Sequence, residues 1–175
     1  MIKRGRIFYI KGDVCEPLRD NEHEIIVIPH CCNTLGVMGK GVALALKKKW
    51  PVVYDAYKEM ESKTSSGLKY KLGQICSVMV DDHTIIVNMI GQEGIISANN
   101  PRPVKYEALV SCMREIRVNI AKSLYKYRKD VNRTYSIHTC KFGCGLAGGS
   151  FDVIYPLIQE LWVDYGIDVT IYEFE

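Results

Sequence analysis

The chain has 175 residues and 47% hydrophobic composition, enough for one domain with a sizeable core and thin for two. Charged residues make up 25% and the net charge is +3, which argues against a disordered polyelectrolyte, and the sequence pI of 8.4 falls short of a dedicated nucleic-acid-binding domain. No apolar run approaches the ~18 residues of a membrane span. The basic start Lys3-Arg4-Gly5-Arg6 leads into no apolar secretory core. The seven cysteines, an odd number, then read as reduced thiols. The expectation is a cytoplasmic single domain over 1–175 that makes no contact with membranes.

In chain order, β-rich runs are expected at Ile7–Ile10, Ile25–Pro29, Ile75–Val80, Thr84–Ile90, Thr134–Cys140 and Val169–Tyr172. Ile25-Ile26-Val27-Ile28 is apolar without alternation, the pattern of a central strand covered on both faces. Val42, Leu46 and Trp50 predict one helix, which Pro51 ends while suiting the first turn of the next. Asp81-Asp82-His83 predicts a hairpin turn. Leu109, Met113, Ile116, Ile120, Leu124 and Tyr127 form one apolar stripe on a long helix, and Ile154, Leu157, Ile158 and Leu161 do the same later. Strands alternating with helices predict a three-layer α/β/α fold around a mixed sheet of about six strands. Ligands in such sheets sit beyond the carboxyl ends of the strands.

Two glycine-rich strand-to-helix loops are expected there. The first runs from His30 through Cys31, Cys32, Asn33, Gly36, Val37, Met38, Gly39 and Lys40 to Gly41 and Val42. The second runs from Phe142 through Gly143, Cys144, Gly145, Leu146 and Ala147 to Ser150. Glycines permit positive φ and close backbone approach, and the helix amino termini that follow favour an anion. Either loop alone could be a plain turn. Together they suggest one diphosphate gripped from both sides. The first lacks the Gly-Lys-Ser/Thr ending of a P-loop, and the G-x-G-x-x-G letters of the second sit too near the end of the chain for a Rossmann unit.

His30, at the end of a central strand, is placed for acid–base work or phosphate binding, with a backbone-bonded structural histidine as the bland alternative. His138, inside a strand, reads as structural. No C-x₂-C pair exists, so no metal and no cofactor are expected. The basic residues Arg114, Arg117, Lys122, Lys126, Arg128, Lys129 and Arg133 interleave with the apolar stripe and are most simply a solvated helix face.

These residues resemble the macrodomain family, the ADP-ribose-binding α/β module. Lys11-Gly12-Asp13-Val14 resembles its opening motif, whose aspartate contacts the adenine amino group. His30-Cys31-Cys32-Asn33, Gly36, Met38-Gly39 and Gly41-Val42-Ala43 resemble its first loop, with Asn33 facing the distal ribose. Gly143-Cys144-Gly145-Leu146 resembles its second phosphate loop. The likeness runs over nearly the whole chain. It is strongest to the branch holding the terminal ADP-ribose glycohydrolase, the DNA-ADP-ribose antitoxins and the ADP-ribose-1″-phosphate phosphatase. The lysine and aspartate that the glycohydrolases use fall on Gly91 and Ala147 here, which supply neither amine nor carboxylate.

The resemblance implies a phosphatase that converts ADP-ribose 1″-phosphate to ADP-ribose and phosphate. His30 and Asn33 would be catalytic. Asp13, Val14, residues 36–42, residues 142–147 and Phe151 would bind ligand. The alternatives are a non-catalytic ADP-ribose reader and a glycohydrolase working without the usual lysine and aspartate. ADP-ribosylated protein or nucleic acid is a further partner class implied.

Overall fold

The computed structural model describes residues 1, 3–60 and 70–174. Its six strands are β1 (Ile7–Lys11), β2 (Glu24–Asn33), β3 (Ile75–Asp81), β4 (Thr84–Gln92), β5 (Thr134–Thr139) and β6 (Asp168–Glu173). They form one sheet in the order β1-β6-β5-β2-β4-β3. Every pairing is parallel except the β3–β4 hairpin, so the expected mixed sheet of six strands is what forms. β2 lies inside the sheet between β5 and β4. That position explains its unbroken apolar run, since Ile25, Ile26, Val27 and Ile28 are all buried.

Successive β2 side chains point to opposite faces. Ile26 and Ile28, with Ile86 and Ile90 of β4, meet Leu46 of α1 (Gly41–Lys49) and Val53 and Tyr57 of α2 (Pro51–Glu59). Val27, with Val87, Ile137 and Val169, meets Leu109, Met113 and Ile116 of α3 (Tyr106–Lys126) and Ile154 and Ile158 of α4 (Phe151–Leu161). Two cores, one on each face, thus make the three layers. Trp162, fully buried, fastens α4 to α3 by donating from Nε1 to the Met113 carbonyl at 3.0 Å.

Two expectations need correction. β2 continues to Asn33, because His30, Cys31 and Cys32 pair with Asn88, Met89 and Ile90, and a bulge lets Asn33 pair with Gln92. His30 through Asn33 therefore belong to a strand and not to the glycine loop. The apolar stripe of α3 ends at Ile120, while Leu124 and Tyr127 are exposed. The helix overhangs the sheet there, and periodicity alone does not reveal where the partner layer stops. No helix among the described residues is long and apolar enough to cross a membrane.

The topology fixes where a ligand can enter. The chain leaves β2 through α1 and α2 for β3 and β4 on one side, and returns through α3 to β5 and then through α4 to β6 on the other. The connections diverge at the carboxyl ends of β2 and β5, the place where open α/β sheets present a crevice.

Candidate functional site

A cleft of about 730 Å³ opens at that divergence. Its walls are the end of β2 (His30, Cys31, Asn33), the first glycine loop (Val37, Gly39, Lys40) and the start of α1 (Gly41, Val42, Ala43). The segment after β4 (Gln92, Ile95, Ile96) and the run Cys140–Ala147 complete them. No Asp or Glu lines it, whereas Lys40 and Lys141 do. The amino terminus of α1 carries no side-chain cap, so its first N–H groups are open to an anion. Gly145 has φ +52°, and a Cβ there would meet nothing within 4 Å. Its backbone conformation, not lack of space, calls for glycine.

The first loop is held from within. Asn33 Oδ1 accepts from Leu35 N at 2.9 Å and Val37 N at 3.2 Å, and its Nδ2 donates to the Val37 carbonyl at 2.7 Å. The buried Tyr57 hydroxyl accepts from Gly36 N at 3.1 Å and lies against the Asn33 carbonyl and Oδ1. Thr34 Oγ1 accepts from Gly94 N at 2.9 Å, tying the loop to the segment after β4. Asn33 was expected to face a ribose. Most of its amide is committed to closing this loop, and one N–H remains.

His30 is likewise engaged. Its Nε2 is 2.5 Å from Asn88 Oδ1, and Asn88 Nδ2 donates to the Val53 carbonyl of α2 at 3.1 Å. That second bond orients the amide with its oxygen toward the imidazole, so Nε2 carries the proton and Nδ1 keeps the lone pair. Burial lowers the His30 pKa to about 4, against the opposing Asn88 hydrogen bond. Desolvation thus favours the uncharged ring at neutral pH. Fixed positive charge in the cleft comes from Lys40 and Lys141. Lys141 Nζ is also 3.1 Å from Glu173 Oε1, which offsets part of its charge.

The cleft thiols are poor nucleophiles. Burial pushes Cys31 up to about 12 and Cys140 up to about 11, and raises Cys144 against the pull of Lys141. His138 is structural as expected, with Nδ1 2.8 Å from the Tyr172 hydroxyl, which also accepts from Leu18 N.

Of the expected ligand-binding residues, Val37, Gly39 through Val42 and Phe142 through Ala147 line the cleft together with His30 and Asn33. Asp13, Val14, Gly36, Met38 and Phe151 are not among its lining residues. Val14 and Met38 are drawn into the core beneath α1 and α2. Asp13 Oδ1 accepts from Cys15 N at 2.8 Å in a tight turn. Phe151 packs edge-on to Tyr155, with Lys141 Nζ 5.4 Å from its ring centre. Ala43, part of the first-loop motif, also lines the cleft, as do Gln92, Ile95, Ile96 and Cys140, to which sequence reasoning gave no ligand-binding role. The carboxyl-end rule, applied to β4 as well as to β2 and β5, would have found Gln92 and the two isoleucines.

No family model matches the chain. A curated relative, the ADP-ribose 1″-phosphate phosphatase of the yeast Scheffersomyces stipitis, is 41% identical over 51 residues, which is 29% of this chain and 30% of that protein. A solved protein of unknown function from Bacteroides thetaiotaomicron superposes with TM-score 0.79 at 32% identity, covering 96% of this chain and 98% of that one. The Thermosipho africanus DarTG structure in complex with ADP-ribose shares the fold, with TM-score 0.67 at 19% identity over 97% of this chain and 42% of that one. A macrodomain protein from Streptomyces coelicolor superposes with TM-score 0.75 at 30% identity, covering 96% of this chain and 99% of that one. Sequence and fold agree over nearly the full length of both chains, and this chain belongs to the macrodomain family.

Proposed function

We propose that the cleft binds ADP-ribose and that the protein hydrolyses ADP-ribose 1″-phosphate to ADP-ribose and phosphate. The observation that carries the reading is a carboxylate-free crevice between two glycine loops, with the uncapped start of α1 and two lysines facing it. A diphosphate suits the space between residues 36–43 and 143–150. The named activity of the yeast relative and the ligand of the Thermosipho structure support the same ligand class.

In this reading Asp13 receives the adenine amino group, the remaining Asn33 N–H meets the distal ribose, and Phe151 packs beside it. Val14, Gly36 and Met38 act through the backbone and core that shape the two ends of the cleft. The lone pair on His30 Nδ1 takes a proton from the attacking water. The new bond joins the water oxygen to phosphorus. The ester oxygen leaves with the sugar and becomes its anomeric hydroxyl by taking a proton from solvent, to which His30 returns the one it accepted, and Lys40 and Lys141 offset the phosphate charge.

A second reading, a reader that binds without turnover, is favoured by one feature: His30 Nε2 is already spent on Asn88, on the α2 side of the sheet. Calorimetric titration with ADP-ribose and a phosphate-release assay on ADP-ribose 1″-phosphate separate the two. Binding with release supports the phosphatase, and binding without release leaves the reader. Absence of binding to either compound removes both.

A further inference from the structure

The carboxyl-terminal end of α3 is not explained by the core. Ile120 is the last buried residue of the helix, and residues 124–132 are exposed without interruption through its last turn and the loop that follows. Residues 121–133 hold five basic side chains against Asp130, a net +4. The whole chain carries only +3, so the rest is slightly acidic. Among the described residues the segment makes one internal ion pair, Arg133 to Asp130 at 3.5 Å. A merely solvated helix would normally space such charges with partners along its faces.

Exposed tyrosines stand among these cations. The Arg133 guanidinium lies 4.2 Å and the Lys126 ammonium 5.1 Å from the Tyr127 ring centre, while the Arg128 guanidinium lies 4.6 Å from that of Tyr125. Tyr125 is 70% exposed. Cations clustered beside open aromatic rings match a strand that alternates phosphates with stackable bases. A second copy of this chain fits poorly, because equal patches of one sign repel.

We propose that this overhang is a docking surface for single-stranded nucleic acid, separate from the cleft. α3 has 21 residues, so its far end lies about 31 Å from its cleft-side start. The two sites can therefore be occupied independently, and the proposal stands whether or not the cleft proves catalytic.

The test is fluorescence anisotropy with labelled oligothymidylate and oligouridylate across a salt series. Combined Lys126→Glu, Arg128→Glu and Lys129→Glu substitution alters only exposed side chains, and thermal melting checks the fold. It should weaken binding by tenfold or more and reduce the slope of log K against log salt by about 2, roughly 0.7 per lost phosphate contact. Tyr125→Ala should cost roughly tenfold through lost stacking, with the slope unchanged. Oligonucleotide binding that the triple variant leaves intact, or that excess ADP-ribose displaces, would put the nucleic acid elsewhere and overturn the proposal. So would phosphatidylserine vesicles binding where oligonucleotides do not, or polyglutamate binding as tightly as oligothymidylate with Tyr125→Ala silent.

Discussion

His30 and Asn88 face each other across two paired strands, with His30 Nε2 2.5 Å from Asn88 Oδ1 and the amide held in turn by the Val53 carbonyl. The pair joins the end of β2 through β4 to α2 on one face of the sheet and keeps a neutral imidazole in an almost dry setting. Burial lowers its pKa from 6.5 to about 4, so between those values the unfolded chain binds the proton more readily than the folded one. The neutral ring's contribution is complete above pH 6.5 and is lost as pH falls toward 4.

Stability should therefore decline on acidification by something on the order of 3 kcal/mol from this residue, with His138, also lowered by burial, adding in the same direction. Urea unfolding of wild type and His30→Gln at pH 7.5 and pH 4.5 measures it. The variant should lose distinctly less stability over the interval than wild type. Parallel losses in the two proteins would show that His30 titrates normally.

Asp13 gives a prediction in which turn and ligand roles separate. Oδ1 accepts from Cys15 N at 2.8 Å, and Asn in its place keeps that oxygen. Asp13→Asn should leave the melting temperature nearly unchanged while weakening ADP-ribose binding by about 1–3 kcal/mol, as expected for a lost charge-assisted hydrogen bond. Asp13→Ala should lose the affinity and also about 1 kcal/mol of stability. Calorimetric titration that finds wild-type affinity in both variants would detach Asp13 from the adenine site.

The family resemblance sets Gly91 at the position of the glycohydrolase lysine, and packing explains why it resists a side chain. A Cβ there would come within 2.4 Å of Leu109 Cδ2 and 3.0 Å of Cys31 Sγ. Gly91→Ala should destabilise by about 1–3 kcal/mol through overpacking under α3, read by urea denaturation. Gly91→Lys should do worse and release no ADP-ribose from modified protein or DNA. A stable, active lysine variant would mean that α3 yields at this point.

Much of this molecule could be read from its sequence, because the strongest signals were local. The apolar run of β2 announced a central strand, and the two glycine loops announced the walls of the cleft. What escaped was set by pairing between distant segments. That His30–Asn33 belong to β2 depends on β4 continuing alongside to Gln92, which no local pattern encodes. Gln92, Ile95 and Ile96 reach the cleft through a segment without the glycine signature that drew attention to the other two. Met38 looked like a ligand-binding position within its motif, yet its side chain is buried beneath α1 and α2.

Among the described residues no three His, Cys, Asp or Glu side chains are grouped so as to hold a metal ion. Extended dialysis against chelator should leave ADP-ribose binding and phosphate release unchanged. Activity lost on chelation and restored by zinc alone would redirect attention to Cys31, Cys140 and Cys144.

The sharpest prediction concerns turnover. If His30 Nδ1 accepts the proton of the attacking water, His30→Gln should lower phosphate release from ADP-ribose 1″-phosphate by roughly 10²–10⁴, the usual share of a general base. ADP-ribose affinity should change little, because the proposed pose takes its diphosphate contacts from the two glycine loops. Asn88→Ala provides the complementary measurement. It leaves the imidazole in place but removes the partner that keeps the proton on Nε2, so kcat should fall while the affinity for ADP-ribose holds. The pH profile should then depart from that of wild type, in which the base is unprotonated throughout the range above its lowered pKa. Equal losses of binding and turnover in both variants would instead assign the pair a purely architectural role, bracing β2 against α2 beneath the cleft floor.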